Sequence, residues 1–114
     1  MEDNSSGLSG QLEKWPTKNE MTELLISCGI KVNVGQYSIR LQEFDHFVFQ
    51  EYDYNGSTPS IDADAETKEQ MLKEASLVSN CLTKAKLRHR FEVYDENDEL
   101  VGYYHYEWPN ENNA

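Results

Sequence analysis

Few side chains in this chain could act as metal ligands, nucleophiles or proton carriers, and they are scattered. The three histidines, His46, His89 and His105, stand 43 and 16 positions apart, and none lies at ligand spacing to another His or Cys. With no Cys-x-x-Cys, a zinc site has nothing to hold it. The serines fall in tails, in turns or on the helix surface, with no Gly-x-Ser-x-Gly elbow to expose a nucleophile. No glycine-rich loop is followed by Lys-Ser/Thr, so nothing cradles a phosphate. Two acidic runs imitate a calcium loop. Asp62-Ala-Asp-Ala-Glu66 lacks the glycine at its sixth position and has Lys73 at its twelfth, and Asp95 to Glu99 has Tyr106 at the corresponding place. Helix-start charge and a solvated turn account for these runs better than a metal does. The expectation is therefore a protein that is not an enzyme, with no cofactor and no metal.

The less ordinary signal is the distribution of acids and tyrosines. Residues 43–66 hold seven acids and no Lys or Arg, and residues 91–114 again hold seven and none. Six of the seven tyrosines fall in these two stretches: Tyr52, Tyr54, Tyr94, Tyr103, Tyr104 and Tyr106. Tyrosine brings large contact area, few rotamers to freeze and a polar tip, which suits a protein interface. The whole chain carries 21 acids against 10 Lys plus Arg, a net charge of −11. That balance disfavours nucleic acid and anionic membranes, whose phosphates need a basic surface, and favours a basic partner.

The elements that must position these residues follow from periodicity. The longest periodic stretch, Asp62 to Lys86, reads as a helix with Met71, Ala75, Val78, Leu82 and Ala85 on one stripe, widened by Leu72 and Cys81. An earlier helix starts at the capping box Thr17–Glu20, buries Met21, Leu24, Leu25 and Cys28, and stops at Gly29-Ile30 in Schellman fashion. Period two then takes over. Ile30 to Val34 and Tyr37 to Leu41 form a hairpin across a two-residue Gly35-Gln36 turn, and a long strand runs from His46 to Tyr54. Arg88 to Tyr94 and Leu100 to Trp108 form a last hairpin.

The fold expected is α+β: two helices on one face of a four- to five-stranded, mostly antiparallel sheet in the order α-β-β-β-α-β-β. Residues 1–13, polar and Ser/Gly-rich, read as a flexible tail, 14–108 as a single domain and 109–114 as a second tail. No apolar run reaches the roughly 20 residues of a membrane span, and the opening residues lack the features of a secretory signal, so the expected location is cytoplasmic. Two cysteines are too few for a disulfide framework, and both read as reduced thiols.

Pairing the last hairpin across Asn97–Asp98 sets Phe91 opposite Tyr104 and His89 opposite Tyr106. These residues, with Val93 and Trp108, form the side under the helices. The open side then presents Arg90, Glu92, Tyr94, Val101, Tyr103 and His105, joined by His46, Val48, Gln50, Tyr52 and Tyr54 of the long strand. The candidate partner-binding residues are Tyr52, Tyr54, Tyr94, Tyr103, His105, Glu92, Asp98 and Glu99. The element order and acidity are similar to those of class I type III secretion chaperones, although that family's usual closing helix has no counterpart here. The resemblance implies a homodimer that binds an extended segment. The leading reading is an acidic non-catalytic module that binds a basic protein, as immunity proteins, antitoxins and nucleic-acid mimics do; the homodimer and a small-ligand domain with a helix–sheet pocket are the alternatives.

Overall fold

The structure, a computed structural model, describes residues 5–50 and 59–108. In chain order the elements are β1 (Ser6–Leu12), α1 (Lys18–Ser27), β2 (Val32–Val34), β3 (Ile39–Leu41), β4 (His46–Gln50), β5 (Ser60–Ala65), α2 (Lys68–Lys84), β6 (His89–Tyr94) and β7 (Leu100–Tyr106). The fold is α+β. Its strands form one seven-stranded sheet in the order β2-β3-β4-β5-β1-β6-β7, with every neighbouring pair antiparallel.

Two of those strands replace other expectations. Ser6–Leu12, expected within a tail, is a strand near the middle of the sheet, between β5 and β6. Its period of two runs through small residues: Ser6, Leu8, Gly10 and Leu12 are buried, while Gly7, Ser9 and Gln11 face the other way. At Gly10 a Cβ would lie 2.8 Å from a Phe91 ring carbon and 3.1 Å from Ile61 Cβ, so the strand can sit between its neighbours only with glycine there. The second replacement is β5. Asp62 to Ala65 do not begin the long helix, because Ile61, Ala63 and Ala65 are buried in strand alternation. The helix starts later, where the Thr67 side chain accepts from the Gln70 N–H.

On α2, Met71, Ala75, Val78 and Leu82 are fully buried against the sheet, with Cys81 beside them, whereas Ala85, expected on the same stripe, is the exposed C-cap. At its end, Lys86 adopts φ 61° while its N–H bonds to Thr83 O and that of Leu87 to Leu82 O. This is a Schellman stop with lysine where glycine is usual. On α1 the Thr17–Glu20 box closes in both directions, and Gly29 (φ 84°) and Ile30 bond back to Ile26 and Leu25. The hairpin after it has a four-residue loop rather than a two-residue one, because Val34 pairs with Ile39 and Gly35 N–H donates to Ser38 O. A shift of two residues preserves the faces, so Ile39 and Leu41 still point into the core.

Along one line across the sheet, Ile39, Phe49, Ile61, Gly10, Phe91 and Tyr104 are consecutive partners on the covered side. Met21 and Leu25 of α1 and the α2 stripe complete one core with them. The cysteines are corrected too. Cys28, capping α1, meets Cys81 on the buried face of α2 in a disulfide with a Cα–Cα distance of 6.0 Å. The two helices are thus tied to each other above the sheet. No helix among the described residues is long and apolar enough to cross a membrane.

Candidate functional site: the open sheet face

The face away from the helices is assembled by register. Opposite the core line, Arg40, Val48, Asp62, Ser9, Glu92 and Tyr103 are consecutive partners. One step along, His46 pairs with Asp64, Asp64 with Gly7, and Gly7 with Tyr94. On the other flank, Gln11 pairs with Arg90 and Arg90 with His105. Because the outward residues of β1 include Gly7 and Ser9, the middle of the face has a floor of small side chains. Asp62 and Asp64 stand on one bank, Glu92 and Tyr94 on the other. A Cβ on Gly7 would meet only Ala63 O, at 3.7 Å, so the floor is open at that point.

Hydrogen bonds hold these banks. Asp62 accepts from Gln50 Nε2 at 2.6 Å and from Ser60 Oγ at 3.0 Å. The Tyr94 hydroxyl donates to Glu92 at 2.9 Å, and the bond to this carboxylate raises the phenol above the usual tyrosine range, so it stays a donor. Asp64 is exposed. Arg90 donates to Gln11 and lies 5.1 Å from the centre of the Trp108 ring. The face therefore mixes three carboxylates with the guanidiniums of Arg40 and Arg90, and its most acidic part is the β5–β1–β6 centre.

The candidate residues separate on this frame. Glu92, Tyr94, Tyr103 and His105 come together on the open face, with the Tyr103 and His105 rings 5.0 Å apart. Tyr103 is half-buried and its hydroxyl oxygen is covered, which is less exposure than the strand pattern predicts. Asp98 and Glu99 lie at the exposed hairpin tip, beyond the end of the face. That tip is organised by Asp95, whose carboxylate accepts from the N–H groups of Asn97 (2.8 Å) and Glu99 (3.0 Å) while Asp98 takes φ 62°. Tyr52 and Tyr54 lie outside the described residues, as do 51–58 generally.

The hairpin register is the expected one from His89–Tyr106 to Val93–Gly102, after which a bulge makes Leu100 the partner of Tyr94. Val101 falls in the bulge and packs against the core, so it leaves the open face. Trp108 is corrected in the opposite sense: Glu107 takes φ 46°, and the indole lies by Arg90 rather than under the helices. Missing from the candidates were Gly7, Ser9, Asp62 and Asp64. The alternation of Leu8, Gly10 and Leu12 is the sequence signal for the first two, and that of Ile61, Ala63 and Ala65 for the other two.

Two other groupings have chemical potential. Ser79 Oγ lies 2.7 Å from His89 Nε2, and His89 Nδ1 lies 2.9 Å from Leu87 O, the geometry of a hydroxyl donating to a neutral imidazole. Both side chains are buried under α2, and burial lowers the His89 pKa below the ordinary imidazole value. Without access for a substrate, the pair ties α2 to β6. Among the described residues, no three His, Cys, Asp or Glu side chains group closely enough to hold a metal ion. An open apolar hollow of about 450 Å³, lined by Ile26, Ile30 and Val32, lies at the β2 edge, away from both groupings. No family model, curated protein or solved structure matches the chain.

Proposed function

We propose that this chain is a non-catalytic module that binds a basic protein through its open sheet face, in the manner of an immunity protein, antitoxin or nucleic-acid mimic. The observation that carries the reading is the small-floored strip of Gly7 and Ser9 between Asp62 and Asp64 on one side and Glu92 and Tyr94 on the other. Such a strip accepts long cationic side chains, and the aromatic flank of Tyr94, Tyr103 and His105 supplies contact area. The net charge of −11 favours encounter with a basic partner. The disulfide speaks for an oxidising compartment, where such bonds persist, in place of the expected cytoplasm.

The test uses a partner captured from the native source and identified, with kinetics measured on variants. Asp98→Asn with Glu99→Gln, at the tip, is expected to slow association and flatten its salt dependence while leaving dissociation nearly unchanged. Tyr94→Ala, together with Asp64→Asn, is expected to speed dissociation by roughly tenfold or more. Wild-type kinetics in every variant would remove the open face as the site.

A further inference from the structure

The sheet ends at β7, which no described strand borders on its outer side. In an antiparallel sheet, every second residue of such a strand directs its N–H and C=O outward, ready to pair. Exposed edges are ordinarily guarded by charges, prolines, bulges or short length, and of these β7 has a bulge, at Val101 near its start. β7 is seven residues long, and Leu100–Tyr106 contains neither a charged residue nor a proline. Acids stand just beyond both of its ends, Glu99 and Glu107, both exposed. Glu107 reaches Arg88 at 3.7 Å, a surface contact that a competing cation can displace at little cost.

From this we infer that β7 takes up an extended segment of a basic partner as an eighth strand, with cationic side chains near Glu99 and Glu107. A second copy of this chain is a poorer occupant. Full-length antiparallel pairing of β7 with its own copy, centred on Tyr103, sets Glu99 of each chain opposite Glu107 of the other, and like charges directly opposite destabilise a pair. The same acids attract a segment carrying Lys or Arg eight positions apart. Between them, its alternate residues would lie beside Tyr103 and His105 on the open face. The inference rests on the protein-binding reading above and adds a mode of contact to it.

The probe is the nonapeptide Lys-Thr-Val-Thr-Val-Thr-Val-Thr-Lys, with a second peptide carrying Glu at both ends. Amide exchange and affinity are measured on the whole protein. The expected result is binding of the Lys-ended peptide with new protection at alternate β7 amides. In Glu99→Lys with Glu107→Lys, preference should reverse: the Lys-ended peptide loses affinity by about tenfold and the Glu-ended one gains. Failure of the Lys-ended peptide to bind, binding without β7 protection, or unchanged preference in the swapped variant would each overturn the inference. So would outward β7 amides already protected without peptide, either in a dimer, where a second copy fills the edge, or in a monomer, where the chain covers itself. None of these results bears on Tyr94 and Asp64, whose kinetics with the captured partner decide the face reading separately.

Discussion

Glu74 is the residue whose chemistry is most at odds with its surroundings. It lies on the covered side of α2, almost wholly buried, with one carboxylate oxygen accepting from Gln70 at 2.6 Å. Burial raises its pKa above the ordinary 4.5; the nearby negative charges of Asp45 and Asp64 push the same way, against the Gln70 hydrogen bond. Between 4.5 and that raised value the folded chain holds a proton that the unfolded chain has released, so stability falls as pH rises through this window. Above it, the buried charge costs stability in full. Glu74→Gln keeps the Gln70 contact and removes the charge. It should stabilise the protein by about 1 kcal/mol at about pH 8 and by nearly nothing at about pH 4, as read from urea midpoints. An equal effect at both pH values would show that the carboxylate is not the source of the strain.

At the scale of elements, the end of α2 offers a comparable test. Lys86 holds a left-handed conformation (φ 61°) at a position where glycine has no Cβ penalty. Lys86→Gly should therefore raise the unfolding free energy by up to about 1 kcal/mol with α2 unchanged, and a loss of stability would mean that the lysine side chain contributes more than its backbone costs. That stop shows how far the sequence could be read. Helical period located the α2 stripe from Met71 to Leu82, and the capping box and Gly29 bounded α1, because each is a local signal. The hairpin register from His89–Tyr106 to Val93–Gly102 was readable because the tip places the strands. The start of α2 differs from the expected one because Asp62, Asp64 and Glu66 suit a helix N-terminus as well as the outer face of a strand. The β1 strand was hidden by its own composition. Ser and Gly are poor strand formers, and β1 is placed by long-range packing, with Gly10 under Phe91 and Leu8 and Leu12 in the core. Because β1 supplies Gly7 and Ser9, the floor of the candidate site is hidden in the sequence along with it.

For the whole molecule, the cross-link is the property with the widest consequence. Cys28 and Cys81 close a loop of 53 positions and tie α1, which covers the β2 end of the sheet, to the α2 stripe over the half from β5 to β7. Neither cysteine signals this in the sequence: one falls at a helix end, the other inside an apolar stripe, and only the packing of α1 beside α2 brings them together. On the chain-entropy account, closing a loop of this length stabilises the fold by about 4 kcal/mol, and measured values more often fall near 2–4. That is a large share of the roughly 5–15 kcal/mol a domain possesses. Cys28→Ser with Cys81→Ser should thus lower the unfolding free energy by about 2–4 kcal/mol, and dithiothreitol should lower that of the wild type by a similar amount while leaving the double variant unchanged. The same bond bears on where the protein works. Trapping thiols with iodoacetamide during extraction from the native source, before any air oxidation, should leave Cys28 and Cys81 unalkylated. Full alkylation of both in a folded, partner-binding protein would place it in a reducing compartment and return the cysteines to the role of buried packing groups.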